Sequence, residues 1–312
     1  MGENHQKRKN WTDLKSIKLV FHENYLKYSF GPSHPFWPQR ALVFLKKIKK
    51  YALPHEVLVP KKASDEDILL VHSAGYLGRL KKMAREGGFL APDTPVTTEV
   101  LEASYYSVGG SILTLRTALK GERVVNLLGG LHHAGISTGS GFCLLNDHAI
   151  AIRKLQKEGL IKKALIFDLD AHAGQGTQEI FYSDPRVFTI SIHQDPNTLY
   201  PGVGFPLEIG EGPGKGFNWN LPLPRGTREK EYLETLDGAL PQAKKFPHDI
   251  IVLVLGVDTY KDDPLANIEL EEDSYRKIGE RFKAFPKVAV MFAGGYSKAT
   301  PDLWFNFLKG YL

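Results

Sequence analysis

Ala164-Leu165-Ile166-Phe167-Asp168-Leu169-Asp170-Ala171-His172 is the stretch from which the fold is read. Four apolar residues run directly into two aspartates and a histidine. A short apolar run of this kind predicts a buried strand of a parallel sheet, and ligands of open α/β sheets collect beyond the carboxyl ends of such strands. Strand side chains alternate faces, so Asp168, Asp170 and His172 are expected on one side, with Asp170 and His172 as two legs of a metal site and Asp168 beneath them. The plainer alternative is a strand end with one solvated aspartate and one that caps the next helix.

Working outward, apolar runs predict further strands at 16–21, 124–128, 187–193, 250–255 and 288–292. Between them, helical periodicity and capping residues predict helices at 40–50, within 64–86, from 98, at 147–155, 176–182, 229–246 and 271–285, and from 300. Residues 31–38 and 87–95 read as loops, and the glycine- and proline-rich excursion over 201–224 reads as too irregular for regular structure. Strands alternating with helices predict an α/β protein, a mostly parallel central sheet flanked by helices on both faces. Residues 1–10 read as a disordered tail and 11–312 as a single domain.

Composition narrows the function. The chain has 312 residues, 42% hydrophobic and 24% charged, as in an ordinary soluble globular protein. No apolar run approaches the ~20 residues needed to span a bilayer, and the charged start has no apolar core behind it, so neither a membrane partner nor a signal peptide is expected. A single cysteine, Cys143, excludes an internal disulfide, and the expectation is a reducing, cytoplasmic setting. The net charge of +5 comes from scattered lysine pairs that read as solvated helix faces, so no direct nucleic-acid partner is expected. Oligomeric state is not legible.

Four loops follow short buried strands and would open on the same sheet edge. They carry His132-His133, Asp170-Ala171-His172, Asp258, and Gly294-Gly295-Tyr296. Singly, each has a plain reading: a histidine pair in a glycine loop bonds its own backbone, and a tyrosine after two glycines packs. Jointly, two carboxylates and one imidazole supply three ligands and leave a position open, the arrangement of catalytic zinc.

These residues also carry a family resemblance. Gly129-Gly130-Leu131-His132-His133-Ala134, Gly141-Phe142-Cys143-Leu144-Leu145-Asn146-Asp147 and Asp168-Leu169-Asp170-Ala171-His172 are similar to the signatures of zinc-dependent histone deacetylases, including bacterial and archaeal deacetylase-like proteins and acetylpolyamine amidohydrolases. His34-Pro35, Pro92-Asp93-Thr94-Pro95, Tyr200-Pro201-Gly202, Gly256-Val257-Asp258, Asp263-Pro264-Leu265 and Gly294-Gly295-Tyr296 extend it, in order, along nearly the whole chain. The resemblance implies an arginase/deacetylase-like fold and one zinc ion held by Asp170, His172 and Asp258. It implies His133 as the group that moves protons, His132 beside it with Asp168 as its partner, and Tyr296 as a donor to the substrate carbonyl. Gly141, Phe142 and Tyr200 would line a narrow channel for an acylated lysine or amine, and Asp93 would grip substrate at the rim. It further implies a potassium ion near Asp168, Asp170, His172, Ser191 and Ile192.

One departure is informative. Many members continue Asp-x-His with His-Gly-Asp, whereas this chain reads Ala173-Gly174-Gln175. Gln175 stands where an aspartate would hydrogen-bond His133; a neutral amide orients the ring but does not stabilise its cation. Ureohydrolases share the fold and an Asp-Ala-His run, but Gly174 stands where their further carboxylate binds a second metal. The expected activity is therefore removal of acetyl or another acyl group from lysine side chains or related amines. The alternatives are an acetylpolyamine or small-metabolite amidohydrolase and, in another class, an inactive acyl-lysine-binding protein.

Overall fold

A computed structural model describes residues 16–312; the expected tail over 1–10 lies outside the described residues. In chain order the strands are β1 Ile17–Val20, β2 His55–Leu58, β3 Phe89–Ala91, β4 Thr94–Pro95, β5 Val124–Asn126, β6 Ala164–Asp168, β7 Val187–Gln194, β8 Asn218–Leu223, β9 Ile250–Leu255 and β10 Val288–Phe292. The helices are α1 Arg40–Lys50, α2 Asp65–Ile68, α3 Ala74–Glu86, α4 Thr98–Leu119, α5 Asp147–Lys157, α6 Gln175–Phe181, α7 Glu229–Lys245, α8 Glu272–Lys283 and α9 Thr300–Tyr311. Eight strands form one sheet in the order β2-β1-β5-β10-β9-β6-β7-β8. Every pairing in it is parallel. The carboxyl ends of all eight therefore share one edge.

The central strands are buried throughout because both faces are covered. Along β6, Leu165 and Phe167 pack into a core with Tyr232, Phe282 and Trp304, from α7, α8 and α9. Ala164 and Ile166 alternate into a second core with Ile152, Leu155 and Phe181, from α5 and α6. Each large apolar side chain so buried stabilises the fold by about 1.5–3 kcal/mol. This two-sided burial is why the strands read as unbroken apolar runs.

Three expectations need correction. The excursion over 201–224 contains β8, an edge strand paired with β7. Its pattern is inverted: Asn218 and Asn220 are buried while Trp219 and Leu221 are half-exposed. The asparagines donate to Gln178 Oε1 at 2.8 and 2.9 Å, so polarity marks the inner face. The loop over 87–95 holds the short antiparallel hairpin β3–β4. The helical segments expected within 64–86 are the two helices α2 and α3. Ser64 and Asp67 form the expected capping box of α2, but Ser73 caps a fresh start for α3, its side chain accepting from Tyr76 N. The edge strand β2 was not expected; its His-Glu-Val-Leu sequence is half-exposed and carries no alternation.

Candidate active site

β6 stops at Asp168, so strand alternation does not place Asp170 and His172. Instead Asp168 Oδ1 accepts from Asp170 N at 3.1 Å and Asp170 Oδ1 accepts from His172 N at 3.0 Å. Aspartate side chains bond backbone two residues onward and so compete with an extended ladder. These two successive turns fold the stretch back over the sheet edge.

Asp258, three residues past β9, meets it there. His172 Nδ1 lies 3.1 Å from Asp170 Oδ1 and 3.0 Å from Asp258 Oδ2. One ligand atom from each residue lies within 4.8 Å of the others, all three residues buried. The backbone holds both carboxylates in place: Gly294 N donates to Asp170 Oδ2 at 3.0 Å and Ala171 N to Asp258 Oδ1 at 2.9 Å. Glycine is required at 294, where a Cβ would overlap Asp170 Oδ2 and lie 2.5 Å from Asp258 Oδ2.

The charge balance of this cluster fits a cation. Burial, then the neighbouring charge of Asp170, pushes the Asp258 carboxyl up to about 8. Burial alone would lower the His172 imidazole, but its bonds to Asp170 and Asp258 raise it to about 10. The set thus retains protons to offset two buried carboxylates. One imidazole nitrogen and two carboxylates, with no other ligand atom needed for closure, match a zinc site with an open position.

His132 and His133 leave the loop after β5 beside this cluster. His132 Nε2 lies 3.8 Å from Asp170 Oδ1 and 3.2 Å from His133 Nε2. Their other nitrogens face different partners: His132 Nδ1 is 2.7 Å from Asp168 Oδ2, whereas His133 Nδ1 is 2.6 Å from Gln175 Oε1. The two rings are correspondingly unequal. Burial would lower His132, but Asp168 and Asp170 outweigh it and raise it to about 9. Burial, followed by the charges of His132 and His172, holds His133 well below the ordinary histidine range. A carboxylate faces one ring and an amide the other.

Beyond His133 opens a cavity of about 320 Å³ lined by Asp93, Gly141, Phe142, His172, Tyr200, Leu265 and Tyr296, among others. Tyr200 packs edge-on to His133, centroids 5.1 Å apart, and Phe142 edge-on to Tyr296 at 5.7 Å. Gly141 has φ +54°, and a Cβ there would overlap the His133 ring. Phe142 also has positive φ, +66°; it is held by its N–H donating to Thr94 Oγ1 at 3.1 Å and its carbonyl accepting from Tyr28. Asp93 is exposed in the turn between β3 and β4, its carbonyl 3.2 Å from His34 Nε2.

Tyr296 follows β10, its N–H donating to Asp263 Oδ2 at 2.8 Å. Burial, then Asp170 and Asp258, pushes its hydroxyl well above the usual tyrosine range, so it stays a donor. Arg40, in α1, anchors the same loop by donating to Gly295 O and Ala293 O at 2.7 and 2.8 Å. Asp168 and Ser191 pair in register across β6 and β7, with Ile192 next in the strand; the Ser191 hydroxyl is engaged with His193 Nδ1 at 2.7 Å.

Several supporting residues escaped the sequence reading. Asp147 accepts from Gly130 N, Leu131 N and the Ser111 hydroxyl, fixing the histidine loop. His72 Nε2 accepts from Asn146 N at 3.0 Å, and Asn146 in turn donates to Ala134 O. Ser140 bonds Tyr200 and Gln175. Asn146-Asp147 and Asp263-Pro264-Leu265 were visible as motifs; Arg40, His72 and Ser140 carried no signal of their own.

A wholly parallel sheet with acid, imidazole and tyrosine groups on its carboxyl edge defines a class, and known proteins of that class superpose on it. The acetylpolyamine aminohydrolase from Burkholderia pseudomallei matches with a TM-score of 0.84 and 28% identity, covering 95% of this chain and 98% of that one. A probable deacetylase of Archaeoglobus fulgidus is 35% identical over 295 residues, 89% of this chain and 81% of its own length. The acetoin utilization protein AcuC of Bacillus subtilis is 35% identical over 280 residues, 85% of this chain and 72% of its own. Residues 34–310 match the model of the histone deacetylase domain. The chain belongs to the histone deacetylase family, and is accordingly a hydrolase acting on amide bonds.

Proposed function

We propose that the protein is a zinc-dependent amidohydrolase that removes acetyl, or another acyl group, from a lysine side chain or a related amine. The observation that carries this reading is that His172, one member of the buried Asp170–His172–Asp258 cluster, lines a single cavity together with His133 and Tyr296. Asp170, His172 and Asp258 would hold the zinc. When bound, zinc supplies polarisation of the amide carbonyl and a lowered pKa for water.

The chain's own residues supply the rest. His133, held neutral at physiological pH by burial and by its charged neighbours, takes a proton at Nε2 and returns it to the leaving amine. His132, paired with Asp168, keeps its proton and places positive charge beside the reacting carbonyl. Tyr296 donates its hydroxyl to the developing oxyanion. Phe142 and Tyr200 flank the alkyl chain of the substrate, and Asp93 at the rim accepts a donor from its backbone or second amine. Asp168, Asp170, His172, Ser191 and Ile192 form the candidate potassium site beneath. Among the described residues no helix is long and apolar enough to cross a membrane, and a cytoplasmic setting stays part of the proposal.

A silent acyl-lysine binder is the rival of another class. A binder has no use for a proton-moving histidine or a tyrosine held in its donor form. The test is zinc-loaded protein against a panel that varies acyl length on lysine peptides and on polyamines, with His133→Ala alongside. Hydrolysis by the parent and its loss in the variant is the expected result; a zinc-loaded parent inert toward the whole panel refutes the enzyme reading. The member of the panel turned over fastest assigns the substrate as protein, polyamine or small metabolite.

A further inference from the structure

The loop that carries the histidine pair is gripped at both ends by two adjacent residues at the start of α5. At its entry, Gly130 N and Leu131 N donate to Asp147 Oδ2 and Oδ1 at 3.1 and 2.7 Å. With Gly130 at φ +73°, these successive N–H groups form a nest around the carboxylate. At its exit, Asn146 Nδ2 donates to Ala134 O at 3.0 Å. Asn146 and Asp147 are both fully buried, and neither lines the cavity that His133 and Tyr296 share.

A buried carboxylate is stable only when its oxygens are supplied with donors. Asp147 is supplied, besides the nest, by a chain of bonds that all run one way. The Tyr25 hydroxyl donates to Asn126 Oδ1 at 2.8 Å, Asn126 Nδ2 to Ser111 Oγ at 3.0 Å, and Ser111 Oγ to Asp147 Oδ2 at 2.5 Å. Each bond in such a chain polarises the next toward the anion. His148 Nδ1, 3.7 Å from Asp147 Oδ1, lies outside hydrogen-bond reach. The two grips are therefore of opposite chemistry. The entry offers donors and needs a carboxylate; the exit offers an acceptor and needs an amide. Capping of α5 does not account for the pair, because the cap uses Asn146 Oδ1, which accepts from Ala149 N at 3.2 Å, and an aspartate would supply that atom equally.

We propose that Asn146 and Asp147 are positioning residues, a two-ended clamp that aims His132 and His133 at the reacting amide. The role rests on the histidine pair acting in the proposed reaction. In Asp147→Asn, either orientation of the new amide turns its NH2 on one N–H of the nest. In Asn146→Asp, a carboxylate oxygen faces Ala134 O while the helix cap is kept. Asp170, His172 and Asp258 are carried by the segments after β6 and β9, outside the clamp.

The test combines amide hydrogen exchange, zinc affinity and steady-state kinetics on Asp147→Asn, Asn146→Asp and the double exchange that carries both. In Asp147→Asn the amide of Gly130 or Leu131 should exchange about 10–100-fold faster, the effect of losing one bond to a charged acceptor, while Ile152 within α5 keeps the parent's rate. kcat should fall by up to about 100-fold at little-changed KM, and zinc affinity should stay at the parent's. Asn146→Asp should lose kcat alike, and carries the test if Asp147→Asn does not fold. The double exchange keeps the atoms, the charge and the cap, yet should be no better than either single variant, because both grips are then mismatched. A double variant as active as the parent, a nest that exchanges at the parent's rate in Asp147→Asn, or a zinc affinity that falls in step with kcat overturns the proposal. Exchange and zinc binding are read without any amide being cleaved. An inert parent therefore refutes the enzyme reading, whereas an unchanged nest in an active one refutes the clamp alone.

Discussion

Gly294→Ala tests the proposed metal centre at its most crowded point. The added methyl would lie 2.5 Å from Asp258 Oδ2, and closer to Asp170 Oδ2, where real Cβ contacts essentially never fall below 3.0 Å. Asp258 must therefore give by about 0.5 Å and Asp170 by more, against the roughly 0.2 Å tolerance of metal–ligand distances. Neither carboxylate yields freely, because Asp258 is tied to Ala171 N and Asp170 to Gly294 N and His172 N. Disturbing groups that merely orient ligands costs about 10–100-fold in metal affinity. Displacing two of three proposed ligands is expected to cost at least about 100-fold, while overpacking lowers stability by about 1–3 kcal/mol. Zinc competition against a chromogenic chelator reads the first quantity and urea unfolding of the metal-free protein the second. A variant that folds and holds zinc as tightly as the parent refutes the assignment of this cluster as the metal site.

Three other outcomes are expected. Tyr296→Phe keeps the ring packed on Phe142 but removes the oxyanion donor, so kcat should fall about 10²–10³-fold with an unchanged thermal midpoint; a loss under tenfold counts against that role. Gln175→Asp places a carboxylate against a ring that burial and two neighbouring charges hold low, so the acid limb of kcat/KM should move to higher pH, and an unmoved limb refutes the inequality of the histidines. Burial holds His72 down to about 4, so the unfolded chain takes its proton near pH 6.5 and the folded one does not. Stability should fall between these values by up to about 3 kcal/mol as the pH drops. Urea titrations at pH 7 and pH 4.5 should show His72→Gln losing less over that interval than the parent; equal losses refute it.

What the sequence made legible follows from burial. β6, β9 and β10 are covered on both faces, so their apolar runs end sharply and the residues at those ends, Asp168, Asp258 and Tyr296, stand out. β8 was hidden because its buried side chains are asparagines that serve a polar layer between Gln178 and the backbone of Glu208. The reading of Asp170 and His172 reached the right edge by the wrong route: strand alternation was assumed where aspartate turns operate. Ser140, Gln175 and Tyr200 are 35 and 25 residues apart in sequence, and nothing local marks them as one ring of hydrogen bonds. Gln175 was visible only as a departure from a pattern.

β10 lies last among the strands in chain order but is placed at the middle of the sheet, between β5 and β9. Without it the strands would fall into two half-sheets, β2-β1-β5 and β9-β6-β7-β8, each with a bare inner edge of the sort that recruits other chains. The site is partitioned along the same seam. Asp170, His172 and Asp258 belong to one half, His132 and His133 to the other, and Tyr296 travels on the wedge. Joining residues as distant as Asn126 and Met291 is slow relative to forming local structure. β10 braces both halves of the site: Gly294 N, just past it, donates to Asp170 Oδ2 on one side, and its pairing with β5 seats the strand that leads to the histidine loop on the other.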